Sequence, residues 1–160
     1  MDKYKIAIVC RNGHLITEKS STGDTSSEKF CSICGAENIS VCDVCAAPIR
    51  GELDMPGAYM VYPGVPAYCI FCGNPYPWID NVIEKTKYLI SLDEILSDED
   101  KLALVNSTVS ILSESNTTAI DVSIFKKLTE KASKFVRDAL YKFTVDVASE
   151  TAKKLLFPDK

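Results

Sequence analysis

The spacing of apolar residues differs between the two halves of the chain. Residues 4–10, YKIAIVC, alternate weakly and are rich in β-branched side chains, which predicts a strand. From residue 78 onwards, apolar residues recur every three or four positions, which is typical of one face of a helix. The pattern predicts an α+β protein with a strand-containing first half and a helical second half. The helical positions are Ile79, Val82, Ile83, Leu89 and Ile90; Leu102, Val105, Val109 and Leu112; and Ile124, Leu128, Ala132, Phe135, Val136, Ala139, Leu140, Phe143, Val147, Leu155 and Leu156.

Two sequence features bear on where these helices begin and end. Ser97, followed three residues later by Asp100, resembles a capping box and predicts that a helix begins after Ser97. The apolar stripe from residue 119 to 157 would extend about 55 Å as one helix at about 1.5 Å per residue. A domain this small cannot cover that length. We therefore expect either a bend near residues 142–146 or a continuous helix whose exposed stripe contacts another chain.

Glycine and proline are confined almost entirely to the first half. All seven glycines and six of the seven prolines lie in residues 1–77, and residues 78–157 contain neither. Because both residue types punctuate turns and interrupt helices, we expect short strands and tight loops before residue 78. The composition predicts two small domains, 1–77 and 78–160.

The strongest chemical signal comes from seven cysteines and a single histidine. Six cysteines form three CxxC pairs, and the seventh, Cys10, lies four residues before His14. Together they supply eight ligands, twice the number that a structural zinc ion requires. An odd number of cysteines, all before residue 73, is a poor match to a disulfide framework. We predict two structural Zn²⁺ ions per chain, held by Cys10, His14, Cys31, Cys34, Cys42, Cys45, Cys69 and Cys72.

Two groupings of these ligands remain open. In the sequential grouping, the four ligands up to Cys34 form one site and the four from Cys42 onwards form the other. In a cross-brace, the first and third ligand pairs share a metal. We favour the sequential grouping because each half then has the knuckle, hairpin and knuckle layout of a zinc ribbon. The glycines after Cys34 and Cys72 are expected to adopt a positive φ, as the turn around a zinc knuckle requires.

The ligand set argues against catalysis. A catalytic zinc keeps one coordination position open for water and has a general base nearby. These eight residues close both coordination shells and use the only histidine. The sequence also lacks a phosphate-binding glycine loop and a nucleophile elbow. We therefore expect a protein that is not an enzyme.

Net charge gives little support to nucleic-acid binding. The formal charge is −4, and seven thiolates with two zinc dications add three negative charges, giving about −7. Nonspecific affinity for nucleic acid comes mainly from lysine and arginine, so any such surface would have to be local. The candidate is a basic run on the predicted long helix. It comprises Lys126, Lys127, Lys131, Lys134, Arg137 and Lys142, of which Lys126, Lys127, Lys134 and Arg137 are the candidate contacts.

The segment between the last two CxxC pairs, residues 48–68, is rich in contact residues. Its tyrosines and methionines lie among glycines and prolines, and both types are favoured at interfaces. We expect Met55, Tyr59, Met60 and Tyr62 to be exposed and to contact a protein partner. The alternative is that they cover a ribbon too small to have its own core, or pack on the helices. Beyond this segment, Tyr76 and Trp78 are expected to pack in the joint between the two domains.

Longer stretches of the sequence resemble a known family. The run CDVCAAPIRGELDMPGAYMVYPGVPAYCIFCGNPYPW is similar to small bacterial zinc-ribbon proteins of unassigned function, with the pattern CxxCxxPIRG, a Pro-Gly loop and PxYCxxCGxPxPW. KIAIVCRNGHLIT is similar to the beginning of such proteins, and DVASETAKKLL to their helical tails. The resemblance implies bacterial origin, a double zinc-ribbon architecture and no established catalytic activity. Together with the helical pattern after residue 78, the predicted fold is a small β-rich double zinc ribbon followed by an α-helical bundle. All eight ligands fall on the family's ligand positions.

Three functions follow as hypotheses. The first is a non-catalytic adaptor that contacts a protein partner and whose C-terminal helices bind that partner or self-associate. The second is nucleic-acid binding through the basic helix, and the third is a redox or zinc sensor. We expect a cytoplasmic protein, because the N-terminus lacks a cleavable signal and no apolar run approaches membrane-spanning length.

Overall fold

A computed structural model describes residues 4–21, 28–55, 57, 62 and 64–158. In these residues a small antiparallel sheet of four strands precedes five helices, which confirms the predicted α+β class. The chain divides into a first unit, Met1–Asn81, and a second unit, Val82–Lys160. The elements are β1 (Tyr4–Cys10), β2 (Leu15–Ser20), β3 (Asn38–Ile39), β4 (Arg50–Leu53), α1 (Pro77–Ser91), α2 (Asp98–Ser110), α3 (Thr118–Lys131), α4 (Lys134–Val147) and α5 (Glu150–Leu156).

Strand β1, at the predicted strand 4–10, organises the sheet of the first unit. It pairs antiparallel with β2 along one edge, with Val9 opposite Leu15. Along the other edge, β3 pairs with the end of β1 and β4 pairs with its beginning. Gly51 in β4 lies so close to β2 that an added Cβ would be 2.3 Å from the carbonyl oxygen of Glu18. A side chain at this position would therefore disrupt the sheet.

The first unit has a small buried cluster below this sheet. Two aromatic residues dominate it: the rings of Tyr76 and Trp78 stack with their centroids 4.8 Å apart, and the Trp78 indole N–H donates to the carbonyl of Pro66 at 3.0 Å. Their burial was predicted, and both belong to the core of the first unit. Among the described residues, the cluster comprises Ala7, Val9, Cys42, Ile49, Cys69, Tyr76 and Trp78.

The second unit has a larger core that contains no cysteine. Its helices bury aliphatic residues around Phe125, whose ring meets that of Tyr141 edge-to-face at 5.6 Å. Helix α2 buries Leu104 and Thr108, whereas Leu102, expected on its apolar face, is 63% exposed. The buried face of α2 is therefore not the one its apolar spacing predicts. The core comprises Ile90, Leu96, Leu104, Ile111, Val122, Phe125, Leu128, Ala132, Val136, Leu140, Ala148, Ala152 and Leu156.

The apolar stripe from 119 to 157 is divided among three helices, so the expected bend at 142–146 is wrong, and so is one continuous helix. The breaks lie at residues 132–133 and 148–149. At each break an alanine is extended, and the following serine caps the next helix. The Ser133 hydroxyl accepts from the Val136 amide, and the Ser149 hydroxyl accepts from the Ala152 amide. These caps provide hydrogen-bond acceptors for backbone amides at the starts of α4 and α5. The spacing of apolar residues does not indicate that helices begin there.

Other helix limits follow the prediction more closely. Helix α2 begins after Ser97, whose hydroxyl accepts from the Asp100 amide at 3.1 Å, as the capping motif predicts. None of the helices in the described part of the chain has the length and apolarity needed to cross a membrane.

A buried carboxylate ties two turns of the second unit together. Asp93 is 1% exposed and lies between α1 and α2. One of its oxygens accepts from the amides of Ile95 and Leu96, at 2.9 and 2.8 Å. The other accepts from the Ser133 amide at 2.7 Å, at the break between α3 and α4. Asp93 therefore fixes the α1–α2 turn against the α3–α4 turn.

Candidate metal centres

Each CxxC pair forms the same tight turn. The amide after the second cysteine donates back to the carbonyl of the first: Gly35 to Cys31 at 2.8 Å and Gly73 to Cys69 at 2.8 Å. Gly35 and Gly73 have φ values of 71° and 72°, as predicted. In the remaining turn the equivalent residue is Ala46, which has a φ of 58°. The turn thus imposes a left-handed backbone even where the sequence supplies an alanine.

A short hairpin holds each of these three turns. The residue before each pair forms an isolated β-bridge with the chain after it: Phe30 with Glu37, Val41 with Pro48, and Tyr68 with Pro75. The first ligand of each turn is fixed in the same way, because its amide donates across the hairpin at 2.8 Å. Ligand positions are therefore set by local backbone hydrogen bonds.

The turn that carries the histidine is one residue shorter. The Cys10 amide donates to the His14 carbonyl at 2.9 Å, and the Gly13 amide donates to the Cys10 carbonyl at 2.8 Å. This turn directly follows β1, so the strand sets the position of Cys10. The His14 amide approaches the Cys10 sulfur at 3.2 Å, an orientation that favours a thiolate.

The first cluster joins this turn to the Cys31 turn. The His14 Nδ1 atom faces three sulfurs, at 3.5 Å from Cys10, 3.6 Å from Cys31 and 3.3 Å from Cys34. The sulfurs of Cys10 and Cys34 are 3.7 Å apart. Cys10 and Cys31 are buried and Cys34 is exposed, so the cluster opens to solvent on one side.

The second cluster joins the Cys42 turn to the Cys69 turn. The sulfurs of Cys42 and Cys72 are 3.8 Å apart, and those of Cys45 and Cys69 are 3.7 Å apart. In each cluster the four candidate ligand atoms lie within 4.8 Å of one another. The structure therefore has the sequential grouping and not the cross-brace. All seven cysteines are free of disulfides.

These separations fit a four-coordinate metal ion. Tetrahedral coordination with zinc–sulfur bonds of about 2.3 Å and zinc–nitrogen bonds of about 2.0 Å requires sulfur–sulfur edges of about 3.8 Å and sulfur–nitrogen edges of about 3.5 Å. The three sulfur–sulfur distances given above are 3.7, 3.7 and 3.8 Å. The three distances from the His14 Nδ1 atom are 3.3–3.6 Å. These distances fit a tetrahedral metal site, and in each cluster all four ligand atoms lie within 4.8 Å of one another.

The thiols of the clusters differ in how readily they ionise without a cation. Hydrogen bonding from the Ala36 amide lowers the pKa of Cys34 to about 6. For Cys69, burial raises the pKa, but the amides of Cys72 and Phe71 outweigh it and bring the pKa to about 6. The pKa of Cys10 is raised by its burial. The first cluster thus combines a thiol whose pKa is lowered with one whose pKa is raised, whereas a bound divalent ion would stabilise every thiolate.

An exposed arginine links the two clusters at the surface. Arg11, next to Cys10, donates through Nε to Glu37 at 2.8 Å. Its two terminal nitrogens donate to both oxygens of Asp43, at 2.7 and 3.4 Å. Asp43 directly follows Cys42, a ligand candidate of the second cluster. The role of Arg11 was not predictable from the sequence, because an isolated arginine after a ligand has no recognisable spacing.

The residues predicted to bind a partner have mixed outcomes. Met55 is 52% exposed, as expected. Tyr62 is half-buried, and its hydroxyl donates to the carbonyl of Arg50 at 3.2 Å, so its expected exposure is wrong. Tyr59 and Met60 lie outside the described residues. Partner binding by these four residues stays a prediction.

The CxxC turns themselves expose apolar side chains that sequence analysis missed. The apolar residues between paired cysteines are Ile33, Val44, Ile70 and Phe71, which are 73%, 64%, 57% and 69% exposed. We call these four the knuckle surface. Isolated exposed apolar residues are common, but here every CxxC turn presents at least one. Their exposure could have been predicted, because a turn as tight as CxxC cannot bury an apolar side chain that lies between its two ligands.

The basic run does not form one surface on one helix. Lys126 and Lys127 belong to α3, whereas Lys134 and Arg137 belong to α4, beyond the break at Ser133. Lys126 donates to the carbonyl of Leu155 at 2.7 Å, which engages its ammonium group. Arg137 lies 3.7 Å from the carboxylate of Asp138. The single basic helix on which the nucleic-acid hypothesis depended is therefore absent.

Comparison with known proteins agrees with the resemblance in the sequence. The family model described as "Uncharacterized protein conserved in bacteria (DUF2321)" matches residues 3–156. Searches of curated proteins and of solved structures give no match. The family match covers nearly the whole chain, including every ligand of both clusters. The chain therefore belongs to this family of uncharacterized bacterial proteins.

Proposed function

We propose that this protein is a non-catalytic interaction module whose first unit is held together by two structural zinc ions and contacts a protein partner. The observation that carries the proposal is the presence of two complete four-ligand clusters whose exposed turns bear the knuckle surface. Zinc is the metal proposed because thiolate and imidazole ligands at tetrahedral spacing suit it best.

The ligand count supports a structural role over a catalytic one. Each cluster supplies four ligand atoms, which closes a tetrahedral shell and leaves no position for a substrate or a reactive water. The only histidine of the chain is itself a ligand candidate and cannot serve as a general base. This chemistry supports the non-catalytic role that we propose.

The net charge of the chain indicates which kind of partner it would bind. The chain has a formal charge of −4, and loading both clusters makes it more negative, to about −7. Arg11, the cation between the clusters, is engaged by two carboxylates. A partner that fits the knuckle surface would place apolar side chains at its centre and lysines or arginines around them. The same charge disfavours a nucleic acid.

The test is a matched pair of triple variants in the full chain. The first replaces Ile33, Val44 and Phe71 of the knuckle surface with serine. The second replaces Tyr88, Leu102 and Phe135, which are 65%, 63% and 66% exposed in the helices, with serine. Tagged proteins are recovered from native bacterial cells, with and without nuclease treatment, and the zinc content of each variant is measured.

We expect one protein partner to be recovered by the natural chain and by the helical variant, but not by the knuckle variant. Two zinc ions per chain in all three proteins would show that the ribbon is intact. Loss of the partner in the helical variant alone would contradict the proposal and move the contact to the helices. Recovery that depends on nucleic acid would favour the second hypothesis instead.

A further inference from the structure

The two clusters are connected at the surface by the ion pairs of one arginine. Arg11 lies one residue after Cys10 of the first cluster, and Asp43 lies one residue after Cys42 of the second. The guanidinium donates two hydrogen bonds to Asp43 and one to Glu37. The bidentate contact with Asp43 fixes the relative orientation of the two side chains as well as their separation. Arg11 therefore holds a ligand-bearing turn of each cluster at a set distance from the other.

Backbone pairing joins the clusters a second time. Strand β3, Asn38–Ile39, lies in the segment between Cys34 of the first cluster and Cys42 of the second. It pairs with the last two residues of β1, with Asn38 opposite Cys10. The Arg11 amide also donates to the carbonyl of Glu37 at 2.9 Å. The strand that carries Cys10 is thus hydrogen-bonded to the segment that leads into the second cluster.

A third connection runs through the buried cluster of the first unit. Gly13, between Cys10 and His14, packs on Trp78 so closely that an added Cβ would be 3.1 Å from the Trp78 Cβ. Trp78 stacks on Tyr76, and both share a buried cluster with Cys42 and Cys69. A turn of the first metal centre therefore packs on the core that carries two ligands of the second.

These contacts have a thermodynamic consequence. In a small ribbon, metal binding and folding of the surrounding chain are one process, because the ligand set does not exist in the unfolded chain. Ordering the first cluster fixes Arg11, β3 and Gly13, and each of these restricts the chain around the second cluster. The second ion then binds a chain that has already lost much of its conformational freedom.

We propose that the two clusters bind metal cooperatively and that Arg11 is the positioning residue that couples them at the surface. The inference rests on the metal-binding part of the proposed function and is independent of any partner. The occupancy of one cluster thereby sets the affinity of the other. The first unit is then either fully loaded and folded or empty and unfolded over a narrow range of metal concentration.

The test is a cycle of four full-length proteins titrated with Co²⁺, whose absorption bands report thiolate coordination. The proteins are the natural chain, the Arg11→Gln variant, and each of these with the first cluster disabled by Cys31→Ser and Cys34→Ser. The affinity of the second cluster is measured in all four, and mass spectrometry under native conditions counts bound ions. Fluorescence of Trp78, the only tryptophan, reports folding of the first unit separately.

We expect disabling the first cluster to weaken the second at least tenfold when Arg11 is present. In the Arg11→Gln background this factor should fall about fivefold, the effect of an exposed but well-oriented ion pair. Lys5→Gln is the matched control, because Lys5 also forms an exposed ion pair on β1, at 3.1 Å from Asp54. It should leave the coupling at its natural value.

The outcomes separate the two proposals. An equal affinity of the second cluster with the first intact or disabled would overturn cooperative loading while leaving two metal ions and the proposed function in place. If disabling the first cluster weakened the second by the same factor in the Arg11→Gln and Lys5→Gln backgrounds, the role of Arg11 would be overturned. Failure of the natural chain to bind any ion would overturn both the inference and the zinc-dependent function.

Discussion

The two units of this chain stabilise their folds by different means. Among the residues that the structure describes, thirteen in the second unit form one core of aliphatic, aromatic and alanine side chains. The buried cluster described in the first unit has seven members, and two of them, Cys42 and Cys69, are metal-ligand candidates. We therefore expect the second unit to fold by burying apolar surface alone and the first to need the bonds that a metal adds. The composition of the two buried clusters is the basis of this prediction.

The largest expected effect comes from removing metal. Chelation should unfold the first unit and leave most of the helical signal of the second, because structural zinc contributes about 10–16 kcal/mol to small zinc domains and the helical core contains no ligand. Trp78 fluorescence measures the first unit and circular dichroism at 222 nm measures the helices. Unchanged Trp78 emission after complete metal removal, verified by elemental analysis, would refute the expectation that the first unit needs metal to fold.

The converse change acts on the helical core. Phe125 is fully buried, and Phe125→Ala should lower the free energy of unfolding of the second unit by about 3–5 kcal/mol through the cavity it leaves. Phe135→Ala is the control, because Phe135 is 66% exposed, and it should change that free energy by less than about 0.5 kcal/mol. Thermal unfolding followed at 222 nm measures both. A loss of bound metal in Phe125→Ala would contradict the independence of the two units.

Acid should weaken the second unit through one carboxylate. Burial raises the pKa of Asp93, but hydrogen bonds from Leu96, Ser133 and Ile95 outweigh it and lower the pKa from 3.8 to about 2. Because the folded state favours the ionised form, Asp93 stabilises the fold above about pH 4, and this contribution is lost as the pH falls towards about 2. A shift of this size corresponds to about 2 kcal/mol.

Asp93→Asn should remove that pH dependence and lower the free energy of unfolding at neutral pH by a similar amount. The comparison variant is Glu94→Gln, which changes an exposed neighbour by the same chemistry. Acid titrations of the three proteins, followed by helical circular dichroism, give the result. If the natural chain and Asp93→Asn lost helix at the same pH, the role of this carboxylate would be disproved.

The smallest expected effect compares the three CxxC turns with one another. Ala46 has the left-handed backbone that glycine adopts in the other two turns, so Ala46→Gly should stabilise the metal-loaded first unit by about 1 kcal/mol. Gly35→Ala and Gly73→Ala should destabilise it by about the same amount. At both glycines an added Cβ meets no atom within 4 Å, so backbone strain alone is responsible.

Denaturant unfolding of the loaded proteins, followed by Trp78 fluorescence, measures these changes. The opposite signs of the alanine and glycine substitutions are the decisive result. Destabilisation by Ala46→Gly would mean that the three turns are not equivalent.

Much of this structure could be predicted from local sequence. The ligand set was recognisable because a metal-binding turn needs a fixed residue spacing, and the sequential grouping followed from the order of the pairs along the chain. The start of α2 at Ser97 and the glycine conformations at Gly35 and Gly73 were predictable for the same reason, since each depends on residues only a few positions apart.

Other features were mispredicted because the spacing of apolar residues shows which positions are hydrophobic but not which other residues they pack against. The stripe from 119 to 157 was interpreted as one helix or a bent pair, but two serine caps divide it. Helix α2 turns Thr108 inwards, where its hydroxyl donates to the Leu104 carbonyl at 2.6 Å, and leaves Leu102 exposed. Tyr62 was expected at the surface, yet its hydroxyl donates to a backbone carbonyl.

The sequence by itself determined which residues can bind metal and which half of the chain is helical, because ligand chemistry and glycine and proline content act locally. Only the tertiary structure decided that His14 faces the sulfurs through Nδ1, that Arg11 links the clusters, and that Asp93 joins two distant turns. Each of these depends on distances between residues far apart in the chain. Such distances are set by packing and hydrogen bonding of the whole unit, which no local pattern records.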